Sequence, residues 1–190
     1  MAIREGNRQQ MQLLPASIEQ YVAEDAPVRA YDAFIEALDL NELGISTDPL
    51  QEGNPCYDPQ AMLKLLVYGY SYGVRSSRKL ERETHYNLSF IWLMGGLKPD
   101  HKTIAEFRRK HKEALKKALV QCVRLCVKLD LIAGNVLFVD GSKIRGNASI
   151  KNTWTKEKCQ QALERAEDRI EEVIAEAEAI DAEEAGSLHW

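Results

Sequence analysis

The chain has 190 residues, 45% of them hydrophobic, enough for one well-cored domain or for a domain plus part of a second. No run approaches the roughly 18 apolar residues of a membrane span, and the opening MAIREGNRQQ lacks the apolar core of a secretory signal, so a cytoplasmic, nucleoid-associated protein is expected. The net charge of -4 hides a segregation: residues 1–53 carry 3 basic and 10 acidic groups, residues 54–128 carry 15 and 6, residues 129–152 carry 3 and 2, and residues 153–190 carry 4 and 11. A basic middle between acidic ends is the footprint of polyanion binding, and its plainer equivalent is a set of solvated helix faces.

Most of the chain reads as helix. Ser17 is placed to cap a short helix containing Ile18, Tyr21 and Val22. Asp25 followed by Pro27 signals a second start, with Val28, Tyr31, Phe34, Ile35 and Leu38 on one face. Residues 41–57 are rich in Gly, Pro, Asn and Asp and read as a loop. Asp58-Pro59 restarts a helix through Met62, Leu63, Leu65, Leu66 and Tyr70. After a turn at Val74 and Arg75, Ser77 is read as the cap of the next helix, which runs to His85. Helix, short turn and helix inside the basic stretch is the geometry of a helix-turn-helix DNA reader.

A second apolar patch, 88–97, contains Phe90, Trp92 and Met94 and ends at Gly95-Gly96. Thr103 and Glu106 read as a capping box opening one long helix, with Ile104, Phe107, His111, Leu115, Ala118, Leu119, Cys122, Cys126 and Leu129 at helical period. His111 on that apolar side reads as a packed histidine. Of the four cysteines (Cys56, Cys122, Cys126, Cys159), Cys122 and Cys126 lie one turn apart. With no CxxC and no paired His they read as small core residues rather than metal ligands.

Gly134-Asn135 breaks the helix, and 136–139 (Val-Leu-Phe-Val) is a β-branched apolar run, the one convincing strand. From about 155 to 184 a helical pattern returns, with Leu163, Ala166, Ile170, Val173, Ala177 and Ile180 on a heptad seam. That seam suits packing as a helical hairpin against further sequence, or docking on the helices before it.

Tyr57-Asp58-Pro59, Lys64-Leu65-Leu66, Tyr68-Gly69-Tyr70, Val74-Arg75-Ser76-Ser77-Arg78-Lys79-Leu80-Glu81, Trp92-Leu93, Gly96-Leu97, Pro99-Asp100-His101 and Thr103-Ile104-Ala105-Glu106-Phe107-Arg108 form an ordered set. Together they resemble the N-terminal region of bacterial insertion-sequence transposases of the DDE type. The resemblance implies a mainly α fold: a helical DNA-binding domain over 1–133, the first strand or hairpin of an incomplete RNase H-like catalytic domain over 134–152, and the start of a helical insertion over 153–190.

In that family the first catalytic strand ends in Asp-Gly-Ser/Thr-Lys, which Asp140-Gly141-Ser142-Lys143 matches, with a departure at Ile144 to Asn147. The resemblance thus implies Asp140 as the first of three acids holding two Mg²⁺ ions, the chemistry a phosphodiester cut and strand transfer need. Lys143 is placed to steady a DNA phosphate. The other two family acids sit on later strands and a later helix, so the chain is expected to end inside the insertion and not to cut or join DNA alone.

The expected partner is double-stranded DNA at the element's terminal repeats, together with a second copy or a full-length transposase, and no membrane. Arg75, Arg78, Lys79 and Arg82 around the candidate recognition helix are the expected DNA contacts, with Arg108, Arg109 and Lys112 on backbone phosphates. Two other roles fit the same sequence: a non-enzymatic DNA-binding regulator of the element, and a helical protein-interaction module whose acidic ends bind its own basic middle. No glycine-rich phosphate loop points to an organic cofactor.

Overall fold

The computed structural model describes residues 17–45, 57–128 and 156–186. Among the described residues every regular element is helical: a 3₁₀ turn Ile18–Tyr21, α1 (Pro27–Glu36), α2 (Leu40–Leu43), α3 (Pro59–Ser71), α4 (Ser77–Tyr86), α5 (Leu88–Leu93), α6 (His101–Lys110), α7 (Lys112–Lys128) and α8 (Lys156–Gly186). The mainly α fold and the long C-terminal helix are as expected. The strand at 136–139, with Asp140 and Lys143, lies outside the described residues.

α3 is the axis of the bundle. Asp58 accepts a hydrogen bond from the Gln60 amide at 3.0 Å and Pro59 occupies the first turn, so the start is fixed as the sequence indicates. All ten residues from Ala61 to Tyr70 are buried, because α3 is enclosed by α1, α5 and α7. A helix apolar all round belongs in the middle of a protein. The exception is Lys64, whose ammonium lies 2.5 Å from Asp32 and 3.0 Å from Glu36, both on α1. Burial disfavours this cation, yet the two carboxylates outweigh the effect and raise its pKa.

Several boundaries differ from the sequence reading, each for a visible reason. The expected loop over 41–57 begins with a helical turn: Asp39 accepts from the Asn41 and Glu42 amides, and Gly44 closes α2 at a φ of 86°. α4 is capped by Ser76 rather than Ser77, its hydroxyl accepting from the Lys79 amide at 3.2 Å. The cap of α6 is Asp100, which accepts from the Thr103 amide at 2.7 Å, while Glu106 pairs with Arg109 instead of closing a capping box. The single long helix expected after Thr103 is broken at His111. The break lets α6 bury Ile104 and Arg108 beside α4 while α7 buries Ala114, Leu115, Ala118 and Leu119 beside α3 and α8.

The α3–α4 connection is tight. The Val74 amide donates to the Gly69 carbonyl at 2.8 Å, and Gly73 takes a φ of 74°. Gly69 has a packing reason as well: a Cβ there would lie 2.4 Å from Leu80 Cδ2, so only glycine lets α4 seat its buried leucine against α3.

α8 docks on the helices of its own chain, antiparallel to α7, rather than waiting for further sequence. Ala166, Ile170, Ile174 and Ala177 are buried, with Val173 packed beside them. Burying the two isoleucines contributes about 3–6 kcal/mol. Each partly exposed ion pair along the same contact contributes about 0.2–1 kcal/mol. The apolar seam holds α8, and the charges set its register.

Candidate nucleic-acid interface

α4 offers one inward and one outward face. Ser77, Leu80 and Thr84 are buried, whereas Lys79, Arg82, His85 and Tyr86 are exposed. Tyr86 is 82% exposed, and with Asn87 and Leu88 it borders a shallow depression that also includes Arg82 and Glu83. Behind α4, Glu81 fixes the start of α6: its Oε2 accepts from the His101 amide at 3.1 Å and lies 2.8 Å from His101 Nδ1.

The remaining basic residues run along the side of the bundle that α8 crosses, and acids of α8 meet them in sequence. Arg75 pairs with Glu176 at 2.6 Å, Lys112 with Glu178 at 3.0 Å, Lys116 with Glu171, and Arg124 with Glu167 at 3.7 Å. Arg78 lies 3.6 Å from Glu184. Arg109 stands outside this row, fully solvated and bound to Glu106 on its own helix at 2.7 Å.

Arg108 is the centre of the junction between α4, α6 and α8. It is 2% exposed, donates to Asp181 Oδ2 at 2.5 Å and to the Tyr70 hydroxyl at 3.3 Å, and leaves its Nε without a partner. Burial works against the cation, but Tyr70 and Asp181 outweigh it, so its pKa is raised and the guanidinium stays charged. The same Asp181 caps α4 from outside: its Oδ1 accepts from the Ser77 amide at 2.8 Å and its Oδ2 from the Ser77 hydroxyl. Ser76 Oγ donates to the Glu184 carboxylate, 2.9 Å from each oxygen. Two carboxylates thus sit at the amino end of α4, where free amides and the helix dipole favour negative charge.

Of the residues the sequence marks for DNA, Lys79 and Arg82 face solvent on α4, Arg109 is solvated on α6, and Arg75, Arg78, Arg108 and Lys112 face the acids of α8. Arg108 is the correction that matters: a backbone phosphate cannot reach a guanidinium that is 2% exposed while Asp181 is in place. Sequence reasoning passed over Ser76 and Ser77 as anion-facing groups, although two hydroxyls at the start of a helix beside arginines are a signal for one. Among the described residues no group of three His, Cys, Asp or Glu side chains comes together as a metal site. Asp140 is not among them, so Mg²⁺ binding rests on the sequence motif alone. No helix among the described residues is long and apolar enough to cross a membrane.

A family model for the transposase domain DUF772 matches residues 16–110, half of the chain. The chain belongs to this transposase-domain family. The matched span of the transposase domain runs from the 3₁₀ turn to the end of α6 and contains Lys79, Arg82, Arg108 and Arg109, while α7 and α8 fall outside it. No curated protein and no solved structure matches the chain.

Proposed function

We propose that this transposase-domain protein binds double-stranded DNA at the ends of an insertion sequence, with α3, the 72–76 turn and α4 acting as a helix-turn-helix. The observation that carries the reading is the outward face of α4, where Lys79 and Arg82 stand free beside the exposed Tyr86 on a helix held rigidly from behind by Leu80 and Thr84. Cations at adjacent turns serve phosphates, and a tyrosine at the helix end adds a flat surface for a sugar or base edge.

The transposase-family membership places that binding in transposition. Asp140, in the Asp-Gly-Ser-Lys motif, is the proposed first carboxylate of a DDE site, and Lys143 the proposed phosphate contact beside it. Bound Mg²⁺ would supply the activated oxygen and the charge neutralisation that strand cutting needs. The chain's own part in the reaction is binding rather than cutting. The acids of α8 that face the bundle meet arginines and lysines and are not grouped for a metal.

The test is an electrophoretic mobility shift with duplex from the ends of the parent element against scrambled duplex, with and without Mg²⁺. Preferential retardation without nicking is expected, and Lys79→Ala with Arg82→Ala is expected to weaken it by about tenfold or more, each contact being worth about 1–3 kcal/mol. Unaltered binding by that pair would remove α4 from the interface, and Mg²⁺-dependent nicking lost in Asp140→Ala would overturn the division between binding and cutting.

A further inference from the structure

The end of α8 sits where the proposed DNA would have to be. Asp181 and Glu184 present carboxylate oxygens to the Ser77 amide, the Ser76 and Ser77 hydroxyls, Arg78 and the buried Arg108. These donors are what a phosphodiester oxygen requires: a helix amino end, two hydroxyls and two guanidiniums converging on one anion. We infer that the last two turns of α8 form an autoinhibitory cover, with Asp181 and Glu184 standing in for a DNA backbone phosphate that takes their place when the duplex binds. The inference rests on the DNA-binding reading above.

Displacement is confined to the end of the helix for an energetic reason. The fully buried apolar residues of α8 stop at Ala177. Beyond it Ile180 and Asp181 are half-buried and Ala182, Glu183 and Ala185 are exposed. Lifting residues 178–186 breaks polar contacts that DNA phosphates replace in kind. Lifting the whole helix would expose Ile170 and Ile174, which nothing in a duplex compensates. Arg108 is thereby a residue that a phosphate reaches only in the open form, whereas Lys79 and Arg82 are available in both.

The experiment uses the full chain and fluorescence anisotropy with a labelled duplex at low salt. Asp181→Asn with Glu184→Gln is expected to bind at least tenfold more tightly than the wild type. Glu172→Gln with Glu183→Gln, which removes the same charge from exposed positions of α8, is expected to change binding less than threefold. Equal gains in the two pairs would reduce the effect to net charge and overturn the inference. A wild type that binds duplex as well as the Asp181/Glu184 pair overturns it while leaving DNA binding intact. Failure of every form to bind duplex sinks the DNA-binding reading itself.

Because loss of Asp181 leaves Arg108 without its carboxylate, hydrogen exchange on the unaltered chain gives a second readout. Adding duplex is expected to speed exchange at 180–186, slow it at 77–80 and leave 166–177 unchanged. No change at 180–186 on saturation with duplex, or the same change with inorganic phosphate alone, would overturn the cover as a device answering to DNA.

Discussion

The seat of α4 on α3 can be tested by reversing the sign of one substitution. In isolation Gly69→Ala in the interior of α3 should stabilise by about 1 kcal/mol, the difference in helix propensity. Here the new Cβ would stand 2.4 Å from Leu80 Cδ2, more than an ångström inside normal contact, and 3.4 Å from the Val74 carbonyl oxygen. Leu80 is 0% exposed and has nowhere to retreat. Overpacking of this kind costs about 1–3 kcal/mol, and with the backbone carbonyl behind it the upper end applies, so a net loss of about 2 kcal/mol is expected.

In a Leu80→Ala background, itself about 3–5 kcal/mol less stable, the obstructing Cδ2 is gone. Gly69→Ala should then stabilise by about 1 kcal/mol, a coupling of about 3 kcal/mol between residues eleven apart in sequence. Urea unfolding followed by circular dichroism measures all four corners of the cycle. A Gly69→Ala substitution that stabilises equally in both backgrounds would refute the close approach of α3 and α4.

Three further outcomes follow from groups inside the bundle. The Cys122 thiol, pushed up to about 12 by burial and then by Cys126, should stay unalkylated by iodoacetamide at pH 8 in the native protein and react once urea is added; peptide mass spectrometry showing equal labelling in both states would contradict it. Burial, then Lys110, lowers the His111 pKa from its ordinary 6.5, so the unfolded chain takes up the proton first. Stability should therefore fall as pH drops below about 6.5, and His111→Gln should flatten that slope in urea titrations at stepped pH; an unchanged slope would exclude His111 as its source. Lys64→Met should shift stability by no more than about 1 kcal/mol, because Asp32 and Glu36 keep access to water at 23% and 59% side-chain exposure, whereas Asp32→Ala should cost more by weakening the partnership of a buried cation. The reverse order in thermal unfolding would show that Lys64 carries the contact.

The parts of the fold that were legible are those set by local chemistry. Asp58-Pro59 with the leucine run behind it specified α3, and the resemblance covered the span that the family model matches. The seam of α8 was read correctly at Ala166, Ile170 and Ala177, but Ile174 was missed, since a step of three from Ile170 leads to Val173 and a step of four to Ile174. Both satisfy the pattern, and only packing selects Ile174 at 1% exposure.

Arg108 was unreadable for a deeper reason. Its face depends on the break at His111, and its partner Asp181 is 73 residues away. A run such as Arg108-Arg109-Lys110 looks uniform in sequence, yet the fold buries the first member and leaves the second and third exposed. Charge segregation announced that a basic face exists. It could not announce that the acidic segment lies on it.

The row of pairs between α8 and the bundle also alters what ionic strength can reveal. A cation that meets a phosphate from bulk water displaces a condensed counterion from DNA, and the logarithm of affinity falls by about 0.9 per contact for each unit of log salt. Arg78 and Arg108 begin instead from carboxylates of their own chain, in contacts that salt weakens as well. Added salt then loosens the competitor along with the complex, and the two dependences partly cancel. Counting phosphate contacts from the steepness of such a curve would return fewer than the protein makes, and the shortfall would be a measure of how many of its cations were spoken for before DNA arrived.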